Sequence, residues 1–222
     1  MQPTPAADET AAAALAEAAR LLGRGGVLVY PTETLYALGC DARDARACAR
    51  VAALKARPQT KPFPLVLGSA DQLADLLTPL PASLQADLER LALAFWPGPL
   101  SVLLPTRPDL PGLVRDASGF SSVRVSPHPT VQTLCAALPG PQGGPLVATS
   151  ANKSGQPATA LPDRLDPELL GGADLALLSP PLPGGGEPST LLRLLGAGRA
   201  EVLRPGAVPR QALAACFELA PA

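Results

Sequence analysis

Residues 28–42 read LVYPTETLYALGCDA, and both tyrosines of the chain, Tyr30 and Tyr36, fall inside this stretch. Just upstream, GGVLVY is a short apolar run opened by glycines, which predicts a buried strand near 26–30. Where that strand stops, Thr32, Glu33 and Thr34 place two hydroxyls and a carboxylate between Pro31 and an Ala-Leu-Gly turn. Side chains there emerge at a strand's C-terminal end, and in open α/β sheets the crevice beyond such ends is the usual ligand site. The competing reading is a capping cluster for the helix that starts near Asp41. Asp41 or Asp44 can cap that helix unaided, so the polar groups upstream are surplus to a cap.

Outward from this stretch, helical periodicity covers about 9–24, 41–56, 69–77, 82–95, 128–138 and 208–217. Strand patterns fall near 26–30, 64–68, 100–104, 121–126, 145–149, 175–179, 190–195 and 200–204. The tail TLLRLLGAGRAEVLRPG reads as a hairpin turning at Gly196-Ala197-Gly198. Interleaved strands and helices predict an α/β fold with a mixed sheet. At 222 residues the chain suits one domain, 1–222, with a core of about 10–210. The segment SPPLPGGGEP (179–188) is too short for a domain linker and reads as a mobile loop.

Composition excludes several classes. Apolar residues make up 47% of the chain, too many for a disordered protein despite 28 prolines and 20 glycines. Net charge is −1, so no global basic field draws the chain to nucleic acid or membrane, and 3% aromatics argue against a broad base-stacking surface. The N-terminus lacks a basic n-region, and no apolar run nears the roughly 20 residues that span a bilayer. The four cysteines are scattered without CxxC spacing and there is one histidine, His128, which speaks against a zinc site or a disulfide scaffold. A cytoplasmic protein is the expectation.

Rare residues are clustered. Of 18 basic residues only Lys55, Lys61 and Lys153 are lysines; two lie in KARPQTKP (55–62), and the third joins the sole asparagine, Asn152, in TSANKSG (149–155). A compact ammonium suits a point contact with phosphate and is not interchangeable with a guanidinium. Chance scatter over three residues is the alternative. Arg43, Arg46 and Arg50 share one helix face, either solvated or a phosphate stripe. No Walker A loop is present, since GxxxxGKS ending at Lys153-Ser154 would need glycines at Val147 and Asn152. GxGxxG and GxSxG are also absent, and His128 is held between prolines. Cations, hydroxyls, an amide and one acid without a strong base suit a nucleophile that arrives already charged, with catalysis by positioning and electrostatics.

Taken in order, VYPTETLYALGCDA, KARPQTKPFPLVLGS, FWPGPLSVLLP, SSVRVSPHP, TSANKSGQPA, PST and LRPG resemble the YrdC-like family of threonylcarbamoyl-AMP synthases. The likeness covers about residues 10–210. It implies an α/β fold in which a twisted mixed sheet with flanking helices surrounds a large, positively lined cavity. The implied reaction joins L-threonine, bicarbonate or CO2, and ATP into L-threonylcarbamoyladenylate, releasing pyrophosphate, with Mg²⁺ accompanying ATP. In that family the product serves tRNA threonylcarbamoyladenosine modification, so the short form implies downstream transferase partners. An RNA-binding module and a paralogue acting on another carbamoyl substrate remain alternatives.

The resemblance assigns residues. Lys55 and Arg57 fill the K-x-R positions and are the implied catalytic pair, with Lys55 near the reacting phosphate or carbamate. Arg57, Lys61, Ser150 and Arg204 are implied for ATP; Thr34, Arg124, Asn152 and Ser189 for threonine, with Arg124 suited to its carboxylate. A strand-end salt bridge is the alternative for Arg204. Lys55 and Arg57 both read as exposed. Trp96-Pro97-Gly98-Pro99 is expected to shape the cavity wall; Tyr30 and Tyr36 flank the adenylate pocket, with core packing open for Tyr30. Val66 stands where some members carry a histidine, and Ala37 would be constrained if its φ were positive.

Overall fold

The apolar run before Pro31 forms β1 (Leu28–Pro31), and every residue in it is buried. Alternation explains why nothing polar interrupts the run. Val27 and Val29 pack into one core while Leu28 and Tyr30 pack into another, so both faces need apolar side chains. The structure, a computed structural model, describes residues 5–56 and 61–221, with side chains from residue 9 onward.

After PTET the chain folds back. Tyr36–Gly39 pairs antiparallel with β1 as β2, with Pro31 opposite Tyr36 and Leu28 opposite Gly39. The Ala-Leu-Gly segment expected as a turn is therefore strand, and residues 32–35 form the hairpin loop. Ala37 lies within that strand and is not at positive φ. The next helix, α2 (Ala45–Leu54), starts later than periodicity indicated. Asp44 is its cap, with Oδ1 accepting from the N–H of Arg46 at 2.8 Å and of Ala47 at 3.1 Å.

The remaining strands are β3 (Leu65–Leu67), β4 (Leu100–Pro105), β5 (Phe120–Val125), β6 (Leu146–Val147), β7 (Thr149–Ser150), β8 (Leu175–Ala176), β9 (Thr190–Gly196), β10 (Arg199–Arg204) and β11 (Glu218–Leu219). They form two sheets, ordered β7-β2-β1-β8 and β11-β10-β9-β4-β5-β3-β6. Both sheets are mixed: β1 pairs β8 parallel and β2 antiparallel, and β5 pairs β3 parallel and β4 antiparallel. The predicted tail hairpin is β9–β10, turning at Ala197 (φ 53°) and Gly198 (φ 77°), both left-handed as a two-residue type I′ turn requires.

Helices α1 (Pro5–Leu22), α3 (Leu73–Leu76), α4 (Ala82–Phe95), α5 (Pro129–Ala137), α6 (Pro167–Gly172) and α7 (Arg210–Ala214) flank these sheets. Val29 and Leu38 of one sheet meet Leu67, Val102 and Val123 of the other in the larger core. Ala18 and Leu22 of α1 cover a smaller core with Val131 and Leu134 of α5, over Tyr30 and Val66. Among the described residues no helix is long and apolar enough to cross a membrane.

One five-residue stretch ties the sheets together. Leu146 and Val147 pair with β3, and Thr149 and Ser150 pair with β2. Val147 N–H donates to Cys40 O at 2.9 Å, and the Tyr30 hydroxyl donates to Val147 O at 2.6 Å. Gly39 permits this crossing, because a Cβ there would overlap the Val147 carbonyl oxygen and lie 2.7 Å from its carbon.

Candidate active site

The PTET loop, β7 and the facing strands β4 and β5 enclose a hollow whose interior measures about 170 Å³. Each wall follows from local structure. In β5, Val123 and Val125 point into the larger core, so alternation turns Arg124 to the opposite face, where it lines the hollow. In β4, Leu100 and Val102 point into the core and Ser101 between them faces the hollow. Thr32 and Thr34 come from the hairpin loop, Ser150 from β7, Ser189 from the residue before β9, and Arg204 from the end of β10.

Five residues assigned from the sequence thus share one hollow: Thr34, Arg124, Ser150, Ser189 and Arg204. Ser189 Oγ lies 2.9 Å from Ser101 Oγ, and Arg204 Nη2 donates to Ser189 O at 2.7 Å and to its Oγ at 3.3 Å. The alternative of a salt bridge for Arg204 is not what forms, since these partners are neutral. The Arg204 pKa is lowered, first because surrounding protein strips water from its head group and then because the Arg124 charge repels it. Two guanidiniums lining one hollow favour an anion there.

Arg124 is engaged on its other side. Its Nη1 donates to Glu33 Oε1, and Ser126 Oγ donates to Glu33 Oε2 at 2.6 Å. Glu33 does not line the hollow. Tyr36 does, and its buried hydroxyl has no partner among the described residues. Among the described residues the polar side chains of the lining are guanidiniums and hydroxyls, without carboxylate, imidazole or thiol. It can orient anions, and it holds no strong base.

Other assigned residues lie apart from this lining. Lys55 is 2% exposed, which corrects the expectation that it is exposed; the turn after α2 drives its ammonium beneath β7. There it donates to Ser150 O and, at 2.6 Å, to Asn152 O. Asn152 lies in the same turn, with Nδ2 donating to Gln156 O at 2.6 Å and Oδ1 buried without a partner among the described residues. Lys61 is exposed, and Arg57 lies outside the described residues. Tyr30 is core, bonded to Val147 as above. Trp96-Pro97-Gly98-Pro99 does not line the hollow. Its indole N–H donates to Leu100 O at 2.7 Å and Gly98 N–H to Val125 O at 2.9 Å, so the turn sets where β4 begins beside β5. Val66 is the register neighbour of Arg124 but points into the smaller core.

His128 caps α5 through Nδ1, which accepts from Thr130 N–H at 3.3 Å, leaving Nε2–H to donate to Pro181 O at 3.1 Å. Burial lowers its pKa. The 179–188 loop is tied further by Gly184 N–H to Glu33 O at 3.2 Å and Gly185 N–H to Thr34 O at 2.8 Å. Arg43 precedes α2 and so does not share the expected helix face with Arg46 and Arg50; it pairs with Asp41, and Arg50 with Asp174, each at 2.9 Å, so no continuous phosphate stripe forms. Among the described residues no three metal-ligating side chains gather.

Sequence reasoning passed over Ser101 and Ser126. Ser101 carried a signal, as a lone polar residue at an alternating position in the apolar strand LSVLLP. Ser126 carried none, because its role depends on Glu33 arriving from 93 positions away.

Comparison with known proteins bears on the family and the fold. The Sua5/YciO/YrdC family model, described as "Telomere recombination", matches residues 20–206. A threonylcarbamoyl-AMP synthase of Chromohalobacter salexigens is 41% identical over 178 residues, 80% of this chain and 90% of that protein. One from Pseudomonas aeruginosa is 41% identical over 188 residues, 85% and 95% of the two chains. Among solved structures, P. abyssi Sua5 complexed with L-threonine superposes with a TM-score of 0.76 at 28% identity; the match covers 93% of this chain and 59% of that one. With the family model spanning most of its length, the chain belongs to the Sua5/YciO/YrdC family.

Proposed function

We propose that this chain is a threonylcarbamoyl-AMP synthase, forming L-threonylcarbamoyladenylate and pyrophosphate from L-threonine, bicarbonate or CO2, and ATP. The observation that carries the reading is that Arg124 and Arg204 share a hydroxyl-rich hollow that, among the described residues, no carboxylate lines. Relatives bearing that name, and a related structure holding L-threonine, support it.

The chemistry needs this kind of site. The neutral threonine amine adds to CO2 and releases a proton to water, leaving a carbamate. A carbamate oxygen then attacks the α-phosphorus of ATP, and the bond from that phosphorus to the β-phosphate bridging oxygen breaks as pyrophosphate leaves. The nucleophile is already anionic, so no protein base is required and the work is positioning and charge stabilisation. An enclosed volume of about 170 Å³ is below the 300–1,000 Å³ of drug-sized sites, so it suits the amino acid while the nucleotide extends through the mouth.

Arg124 would hold the threonine carboxylate through its remaining N–H donors, aided by Thr34 and Ser189. Arg204, Ser150, Lys61 and Arg57 would hold the triphosphate. Lys55, from beneath Ser150, would keep that turn in place and add positive charge near the reacting centre; Asn152 would shape the same turn. The described residues make no carboxylate cluster for a resident ion, so Mg²⁺ would arrive on the triphosphate. A cytoplasmic location, and handover of the product to tRNA threonylcarbamoyl transferase proteins, complete the proposal.

The test is pyrophosphate release measured with all three substrates and with each omitted in turn. Release that requires threonine and bicarbonate supports the reading. Release indifferent to threonine refutes the substrate assignment.

A further inference from the structure

Glu33 stands outside the hollow yet grips the residue inside it that matters most for an amino acid. Its carboxylate is shared between two partners from the end of β5: Oε1 accepts from Arg124 Nη1, and Oε2 accepts from Ser126 Oγ at 2.6 Å. Ser126 is fully buried, and its Oγ also accepts from His128 N–H at 3.2 Å, so the carboxylate is anchored to β5 and to the entry of α5. The Glu33 and Arg124 side chains are 12% and 9% exposed, so little water competes for this pair. The neighbouring backbone is held as well, by Gly184 and Gly185 of the 179–188 loop.

We infer that Glu33 is a positioning residue for the amino-acid substrate: it fixes the plane of the Arg124 guanidinium so that its remaining N–H donors face the hollow. The inference rests on the proposed threonine site. Two effects of this carboxylate oppose each other. A long guanidinium side chain loses conformational freedom when it binds a ligand, and a partner that orders it beforehand removes that cost from binding. The negative charge, however, weakens the field that attracts an anionic substrate. Ser126 decides between them. Charge neutralisation alone would need no hydroxyl behind the carboxylate, whereas orientation requires its second oxygen to be pinned.

The measurement is calorimetric titration of threonine and, separately, of ATP into the wild type and the variants Glu33→Ala, Glu33→Gln and Ser126→Ala. For Glu33→Ala the threonine Kd should rise about tenfold, the equilibrium counterpart of ordering one long side chain, with the ATP Kd within about twofold. Glu33→Gln should lie within about threefold of wild type, because its amide oxygen still accepts from Arg124 and its NH2 can donate to Ser126. Ser126→Ala should shift threonine in the same direction by less, and carries the test if Glu33→Ala does not fold. Unchanged or tighter threonine binding in Glu33→Ala, or equal loss of both ligands, overturns the inference. A wild type that binds ATP but not threonine sinks the threonine site itself, which separates the two failures.

Discussion

Replacing Lys55 by Met keeps the length and apolar stem of the side chain and removes the ammonium that ties Ser150 O and Asn152 O together from below. At 2% exposure the site admits little water to take its place. A hydrogen bond from a charged donor contributes about 1.5–3 kcal/mol, and stranding a buried carbonyl costs a similar amount. Removing the ammonium also removes its own desolvation penalty, which offsets part of this. The net loss should therefore be about 2–4 kcal/mol, less than the sum of two bonds. For a chain of this size each kcal/mol moves the melting temperature by about 2–4 °C, so Lys55→Met should melt roughly 5–15 °C below wild type. Differential scanning calorimetry gives the shift, and pyrophosphate release on the same samples gives activity. Arginine, bulkier at its head, should not restore stability, since its planar fork does not fit a space shaped for a compact ammonium. If Lys55→Met melts within about 1 °C of wild type while turnover vanishes, the ammonium acts on substrate and the tie to the turn is incidental.

The other predictions concern the frame and the loop anchor. Gly39→Ala should cost ~4 kcal/mol or more, because the added methyl overlaps the Val147 carbonyl and separates the two sheets; a urea midpoint unchanged from wild type would contradict the crossing. Ala197→Asn should raise stability by about 0.5–1 kcal/mol, since Ala197 sits at φ 53° in a two-residue turn that favours Asn-Gly, and thermal melts would register the gain. His128 is the chain's only histidine, and burial lowers its folded pKa below the ordinary 6.5. As pH falls below 6.5 the unfolded state takes up a proton that the folded state resists, so stability drops with falling pH until the lowered folded pKa is passed. His128→Asn keeps a capping acceptor and should flatten that part of the curve, checked by melts at stepped pH.

The α/β class, the order of the long elements, the tail hairpin and the segments that furnish polar groups are legible in the order of residues alone. These are local matters: an apolar run such as GGVLVY or a periodic run such as 82–95 carries its own secondary structure, and scarce lysine and asparagine mark polar segments in one dimension. That YALG is a strand emerges only in the folded chain, because a four-residue apolar run cannot be told from a turn until β1 and β7 pair with it. Only the tertiary structure turned Lys55 from an exposed cation into a buried tie, and placed Glu33 behind Arg124 across 91 positions. The physical reason is that a side chain's partners depend on which strands lie side by side. Sheet registry and the crossing over Gly39 are set by packing of the whole core, which no single segment contains.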